Sequence, residues 1–390
     1  MQVGGRTGGA GGQTFSGRIY LVRAYSSAIG AAKVRQNGKI DRIRYANALT
    51  WRGGEGVFGA SGNWVDVDAV SEVPGLENAV DLPPGVSKIT LGQDHVVASV
   101  QARNGCLVQS VPIDATFDMG GHTLTVVGAY QADGTYGFDG IRAARLCLTN
   151  GAFKAESIAI GALSDRIVNE KDGWIAQDKA ISMGSGSLCV EGPGTTAATR
   201  QGLTMEGPFT YLRVAGGAEL SCAGALKVYS TKRRKTSSDP YERAKVEVSG
   251  AGTMATVGSL YVHGDVDVAV SGGARIGISG SGADSLTLRT GSEIKFTLPE
   301  NSAADALIAT AGGMTVDDED GGAADSVRLV IDDAAFKGPS QVLVECATDS
   351  TEAFQELVNS LSGSKRGRML IADDGKKLIY RKLGFALIFR

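Results

Sequence analysis

Short runs of alternating apolar and polar residues fill the middle of the chain. Between residues 245 and 299, each run places Val, Ile, Leu or Phe at every second position, with small or polar residues between them. A period of two is typical of a β-strand with one buried face. Glycine- and serine-rich turns separate the runs at intervals of about ten residues. The pattern predicts many short strands between residues 48 and 300.

Two architectures fit strands at this spacing. The candidate core residues are almost all Val, Ile, Leu and Ala, which suits a narrow tube of stacked coils better than the aromatic-rich core of a sandwich. The pairs Asn104-Gly105 and Asn150-Gly151 are typical of hairpin turns and favour antiparallel strands. We predict an all-β fold, a right-handed parallel β-helix or β-solenoid, with antiparallel β-sandwich domains as the alternative.

The ends of the chain differ from the middle. Residues 1–47 read as a glycine-rich N-terminal arm with a first strand, and residues 48–300 as the solenoid region with a loop insertion at 230–244. Residues 301–390 read as a small α+β C-terminal cap with one helix and a hairpin. The helix is predicted from Asp349 to Gly363, with Asp349 and Glu352 at capping-box spacing. Its apolar positions follow helical periodicity: Phe354, Leu357, Val358 and Leu361.

Composition and charge exclude several classes of protein. The 390 residues include 55 glycines without a collagen period, and the net charge of -3 gives no field that would attract nucleic acid. No apolar stretch approaches the length of a membrane span, and the first twelve residues lack the pattern of a secretory signal. Five widely spaced cysteines, without metal-ligand spacing, indicate no zinc or redox motif. Of these, Cys147 and Cys189 lie in strand-like runs and read as small buried hydrophobes.

Several short motifs resemble one family of bacterial surface proteins. Residues 50–59 read TWRGGEGVFG, and they are followed by Gly62-Asn-Trp64, Val73-Pro-Gly75 and Ala79-Val-Asp-Leu82. Residues 117–126 read FDMGGHTLTV. The order and content of these motifs resemble proteins built on autotransporter-associated β-strand repeats. The resemblance covers roughly residues 49–300 and implies an exported, non-catalytic β-helix, although the C-terminus is too short for a translocator barrel.

The candidate interaction site is the basic insertion. Its polar loop leaves the predicted wall of strands and could contact an acidic polymer or a partner, although a solvated loop is the simpler interpretation. Its candidate contact residues are Lys232, Arg233, Arg234, Lys235, Tyr241 and Arg243. We predict no cofactor and no resident metal. The acidic run Asp317–Asp320 has oxygen ligands that calcium prefers but lacks the spacing of known calcium loops.

Catalytic candidates are few. The three histidines, His95, His122 and His263, lie in different predicted coils, and no nucleophile motif accompanies them. Asp265 and Asp267 are two residues apart on a predicted strand and therefore share one face with His263. Such paired carboxylates would suit a polysaccharide lyase or glycoside hydrolase. His122, beside Gly120-Gly121, reads instead as a solvent-facing turn residue.

The expected function is that of a non-catalytic structural or adhesive protein, extracellular or at the bacterial cell surface. Self-assembly through the ends or the N-terminal arm is expected, as a homo-oligomer or polymer, with surface carbohydrate as a further partner. A polysaccharide lyase or glycoside hydrolase on the same scaffold is the alternative. A trimeric spike of a phage or a secretion machine is a third hypothesis.

Overall fold

The structure is a computed structural model that describes residues 47–66, 68–83, 85–103, 113–127, 140–142, 144–161, 185–230, 243–317, 327–362 and 367–383, with a few isolated positions between 28 and 35. From residue 47 onward, the described residues form 28 strands and one α-helix. The first half of the strands is β1 Ala48–Trp51, β2 Gly54–Val57, β3 Trp64–Val65, β4 Ala79–Leu82, β5 Val86–Thr90, β6 His95–Val97, β7 Ser99–Arg103, β8 Ile113–Asp118, β9 Thr123–Val126, β10 Gly140–Arg142, β11 Ala144–Thr149, β12 Ala152–Gly161, β13 Ser185–Glu191 and β14 Thr196–Glu206.

The second half is β15 Phe209–Ala215, β16 Glu219–Ser230, β17 Ala244–Ser249, β18 Met254–Gly264, β19 Val266–Ser271, β20 Arg275–Ile278, β21 Leu286–Arg289, β22 Glu293–Thr297, β23 Ile308–Thr310, β24 Met314–Asp317, β25 Arg328–Asp332, β26 Ser340–Cys346, β27 Gly367–Ala372 and β28 Lys377–Lys382. The helix α1 spans Thr351–Asn359. A short 3₁₀ turn covers Ser61–Asn63.

The strands stack in parallel rows, each strand bonded to its counterpart one coil later. One row forms a ten-stranded sheet, β2-β5-β8-β11-β13-β15-β17-β19-β22-β25. Two further rows are joined in one larger sheet, because the long strands β12, β14, β16 and β18 bend at a bulge and contribute to both. Before and after those long strands the rows are separate: β20 and β21 both pair with β18, at its two halves. The fold is therefore a parallel β-solenoid with three rows of strands.

The length of one coil can be read from the register. Val246 of β17 pairs with Val268 of β19, and Arg243 contacts Asp265 at the corresponding position, with a sequence separation of 22. This is the shortest coil that the described register of the ten-stranded sheet defines. The paired valines stack in the interior and are almost fully buried. One large apolar cluster runs through the described solenoid, beside a small cluster of three alanines. Each large apolar side chain in the large cluster contributes about 1.5–3 kcal/mol of burial free energy.

The solenoid prediction is confirmed, and the sandwich alternative is wrong. Antiparallel pairing is confined, among the described strands, to β1 with β3 and to β28 with β26 and β27. Asn150 and Gly151, with φ angles of 56° and 147°, turn the chain from β11 in one sheet to β12 in the other. They form a solenoid corner, not a hairpin. The right-handed sense of the winding stays a prediction, based on the strong preference of parallel crossovers.

The solenoid continues past the predicted boundary at residue 300. Strands β23, β24 and β25 pair in parallel with β20, β21 and β22, and β26 pairs in parallel with β23. The cap therefore begins after Cys346 and not at residue 301. The hydrophobic pattern did not predict these last rungs, because β23 and β24 are only three and four residues long and show little alternation.

The C-terminal cap contains the predicted helix and hairpin. Phe354 and Leu357 of α1 are fully buried, and β27 and β28 form the antiparallel hairpin. The N-cap residue is Ser350, and Asp349 accepts a hydrogen bond from the Thr351 backbone N–H at 2.9 Å, so the predicted capping box is replaced by this arrangement. The cap covers all three rows: β28 pairs with β26, Ser350 accepts from the Met314 N–H, and the segment after α1 bonds to β25.

The N-terminal end is only partly covered. In the described residues, β3 covers the edge of β1, but β2 pairs only with β5 and β6 pairs only with β9. Exposed apolar side chains lie near this end: Val57, Val70, Val73, Leu76 and Val96 are each 41–60% exposed. Unpaired strand edges of this kind invite pairing with another strand. The predicted arm, residues 1–47, lies almost entirely outside the described residues.

Candidate functional site

The basic insertion is described only at its two ends, Ser230 and Arg243-Ala244. Lys232, Arg233, Arg234, Lys235 and Tyr241 lie outside the described residues, and Arg243 is the one predicted contact residue with a described position. Arg243 precedes β17, and its side chain is 20% exposed. Arg243 is therefore the only one of these predicted contact residues whose contacts the structure describes.

Arg243 is held by the next coil. Its Nη1 lies 3.0 Å from Asp265 Oδ1, and its Nε donates a hydrogen bond to Asp267. Its Nη2 donates to the carbonyl oxygens of Val266 at 3.1 Å and Gly291 at 2.8 Å. A guanidinium engaged by two carboxylates and two carbonyl groups has few donors left for a ligand. Arg243 therefore anchors the end of the insertion to the solenoid body.

His263, Asp265 and Asp267 do not share one strand face as predicted. The strand β18 ends at Gly264, whose φ of 81° turns the chain, and β19 begins at Val266. His263 consequently lies on the larger sheet and Asp267 on the ten-stranded sheet. The prediction was wrong because alternation of faces holds only within one strand, and Gly264 turns the chain between His263 and the two aspartates.

His263 belongs to an outward-facing aromatic surface that the sequence did not predict, in which His263 is exposed and two tyrosines are partly exposed. Tyr229 of β16 pairs in register with His263 of β18, and their ring centroids are 6.4 Å apart. The ring of Tyr261 lies 5.4 Å from that of Tyr229 and 6.3 Å from that of His263. We call these three side chains the tyrosine–histidine patch. The Arg289 guanidinium of β21 lies 5.4 Å from the Tyr261 centroid, within cation–π distance.

The patch is fixed in position by the rungs that carry it. Val228 and Val262 point into the core between the outward-facing residues of β16 and β18 and are fully buried. Arg289 bonds onward to Asp317 of β24 at 3.0 Å. Asp317 thus has an arginine partner, whereas the rest of the predicted acidic run, residues 318–320, lies outside the described residues. Within the described part of the chain, no group of three His, Cys, Asp or Glu side chains could hold a metal ion.

A second polar network covers the ten-stranded sheet. Arg213 Nη1 lies 2.6 Å from Glu191 Oε1, and Arg213 Nε lies 3.3 Å from Glu247 Oε1. Glu247 also accepts hydrogen bonds from the Tyr211 hydroxyl and from Ser249. Burial opposes ionisation of Glu247, but these donors and the charge of Arg213 outweigh it and hold its pKa below the ordinary value. The network links three consecutive rungs.

The other two histidines occupy structural positions. His122 follows the turn Gly120-Gly121, its Nδ1 lies 3.6 Å from Asp94 Oδ1, and its side chain is 39% exposed, as the sequence predicted for a turn residue. His95 is 6% exposed and packs against Phe58 with ring centroids 4.6 Å apart. Burial lowers the pKa of His95, and no hydrogen-bond partner reaches its Nε2 among the described residues.

The fold and these surfaces define a class of protein rather than an individual. The chain is a parallel β-solenoid with polar networks and an aromatic patch on its outer faces. No helix among the described residues is long and apolar enough to cross a membrane. Comparison of the chain with protein-family models, with characterised proteins and with solved structures finds no match.

The tyrosine–histidine patch left only a weak signal in the sequence. Tyr229 and Tyr261 occupy outward positions of adjacent rungs, but they are far apart along the chain because the basic insertion lies between them. A repeat of constant length would have aligned them. Because the coil length varies, the sequence alone does not show which residues of neighbouring rungs are register partners and therefore in contact.

Proposed function

We propose that this chain is a non-catalytic structural or adhesive protein, extracellular or at the bacterial cell surface, and that its tyrosine–histidine patch binds surface carbohydrate. The observation that carries the proposal is the cluster of three rings on two rigid rungs. The faces of aromatic rings carry partial negative charge and attract the weakly positive C–H groups of a sugar ring. Polar groups at the margin, including Lys227 and Glu206 in the adjoining register positions, can bond its hydroxyl groups.

The surroundings of the acidic candidates favour a binding role over a catalytic one. Asp265 and Asp267 both contact the Arg243 guanidinium, which engages one oxygen of each carboxylate in a charge-assisted hydrogen bond. A glycosidase or lyase needs one carboxyl group that is available to donate or accept a proton at the substrate. The corner at Gly264 also separates both carboxylates from the sheet that carries the patch.

Binding to an array of bacterial and host glycans tests the proposal. We expect at least one glycan to bind the full chain, and Tyr229→Ala and Tyr261→Ala each to weaken that binding about threefold to tenfold, because each removes one stacking surface. The matched control is Lys245→Ala, an exposed substitution on the ten-stranded sheet, which should leave binding unchanged. Equal binding by all three variants would place the glycan elsewhere and contradict the role of the patch.

Self-assembly is the second part of the proposal. The unpaired outer edges of β2 and β6 in the described chain, flanked by exposed Val57 and Val96, support contact through the N-terminal end. Sedimentation and electron microscopy should show oligomers or filaments whose population grows with concentration. Monodisperse monomers at high concentration would reject self-assembly, and rigid trimers would favour the spike hypothesis. Release of reducing ends or unsaturated sugars from a polysaccharide panel would instead support the enzymatic alternative.

A further inference from the structure

Cys147 and Cys189 occupy equivalent positions on neighbouring rungs. They are direct register partners in the parallel pair β11–β13. Neighbouring strands are about 4.7–4.9 Å apart, within the Cα separation of about 4.4–6.8 Å at which disulfides form. The flanking residues of both strands point into the core, so both thiols project from the same outer face of the ten-stranded sheet. Those flanking residues are Leu146, Leu148, Leu188 and Val190.

The two thiols are register neighbours and lie near a cation. Arg145 precedes Cys147 by two residues on β11 and therefore shares its outer face, and its charge acts on both thiols. The interactions with Cys147 and Arg145 hold the pKa of the Cys189 thiol below its ordinary value, against the effect of burial, whereas the interaction with Cys189 and burial raise the pKa of Cys147. A thiolate is the nucleophile in thiol–disulfide exchange.

The other described cysteines lack this arrangement. Cys222 and Cys346 have no cysteine as a register partner, and burial raises the pKa of each thiol. They behave as small apolar core residues. The pairing of Cys147 with Cys189 is thus a property of one position in the solenoid and distinguishes it from the remaining described thiols.

We propose that Cys147 and Cys189 are a modification site at which a reversible disulfide joins two rungs of the solenoid. The Cys189 thiolate attacks a low-molecular-weight disulfide and displaces one small thiolate, which leaves a mixed disulfide on Cys189. Cys147 then loses its proton to solvent and attacks the Cys189 sulfur, forming the Sγ–Sγ bond and releasing the second small thiol. Two protein thiols are oxidised and one external disulfide is reduced to two thiols.

Exposure determines when the exchange occurs. In the folded chain Cys147 is 7% and Cys189 1% exposed, so the small disulfide reaches them during folding or during a local opening of the rungs. The bond would close the coil from residue 147 to residue 189. This is the longest coil defined by the described register of the ten-stranded sheet, almost twice the shortest, and a covalent link would join its two ends.

Refolding the full chain in glutathione buffers tests the site. After refolding at a series of reduced-to-oxidised ratios, free thiols are blocked by alkylation and the chain is digested with trypsin. In oxidising buffer we expect the peptide of residues 146–154, which holds Cys147, to be cross-linked to that of residues 180–200, which holds Cys189. Reducing buffer should restore both peptides to the alkylated form.

The controls keep the result independent of the proposed function. The Cys222→Ser variant should give the same cross-link, and Cys147→Ser should abolish it. The oxidised wild type should melt about 5–10 °C above the reduced form, a difference that Cys147→Ser lacks. Folded wild-type chains in which both peptides stay alkylated under oxidising conditions would overturn the proposal, as would pairing of either cysteine with Cys106. None of these measurements depends on glycan binding or assembly.

Discussion

Replacing Gly264 with alanine should be among the most damaging small substitutions in the solenoid. Gly264 ends β18 with a φ of 81°, in the left-handed region, and its N–H donates to the Thr290 carbonyl at 3.1 Å. A Cβ atom at this position would lie 1.8 Å from the carbonyl oxygen of Ser230 on the preceding rung. The atoms nearest to this Cβ all belong to the backbone of Ser230, so no side-chain rotation can relieve the clash.

Two separate costs make up the expected effect. Placing a Cβ on a left-handed residue costs about 1–2 kcal/mol. Moving the chain by more than about 1 Å to relieve the clash weakens the bond to Thr290 and the register with Ser230, which adds about 2–3 kcal/mol. The loss of about 3–5 kcal/mol in unfolding free energy is large beside the total stability of about 5–15 kcal/mol that is usual for domains.

Gly273 is a matched control for the second cost. It has nearly the same φ, 82°, but a Cβ built on it meets nothing within 4 Å. Gly273→Ala should therefore lose only the conformational part, about 1–2 kcal/mol. Urea unfolding followed by circular dichroism gives both values. Because solenoid rungs can open separately, hydrogen exchange of the coils on either side of residue 264 should show the larger effect locally. Equal losses for the two variants would refute the role assigned to the Ser230 contact.

Two further predictions concern charge. Arg243→Ala removes the guanidinium that bonds to Asp265, to Asp267 and to two backbone carbonyl groups, and we expect a loss of about 2–4 kcal/mol in urea unfolding; Lys295→Ala, an exposed substitution on the same sheet whose register partners carry no charge, should change stability little, and similar losses for both would contradict the anchoring role. Burial lowers the pKa of His95, so the unfolded chain binds this proton more tightly and stability should fall as the pH drops below the ordinary value of 6.5. In His95→Phe this part of the pH dependence should disappear from melts between pH 5 and 8, and an unchanged slope would reject the assignment.

The rung pattern was predictable because burial imposes period two on each strand. Val266, Val268 and Val270 read correctly as inward residues, and the structure buries all three. What the pattern does not contain is the direction of pairing, since parallel and antiparallel strands with one buried face alternate alike. Asn150-Gly151 shows the consequence: the same backbone requirement for positive φ serves a hairpin and a solenoid corner.

The contacts between rungs were not predictable, although they follow a simple rule. In a parallel stack, side chains one coil apart become neighbours, so that Arg243 meets Asp265 and Arg213 meets Glu191, each pair with a sequence separation of 22. The coil from Cys147 to Cys189 is almost twice as long, because the number of residues between successive strands differs from coil to coil. Sequence spacing identifies partners only where no insertion intervenes. Both surfaces assigned a chemical role, the tyrosine–histidine patch and the cysteine pair, bridge coils that contain an insertion, which is the physical reason that the alternation alone indicated neither.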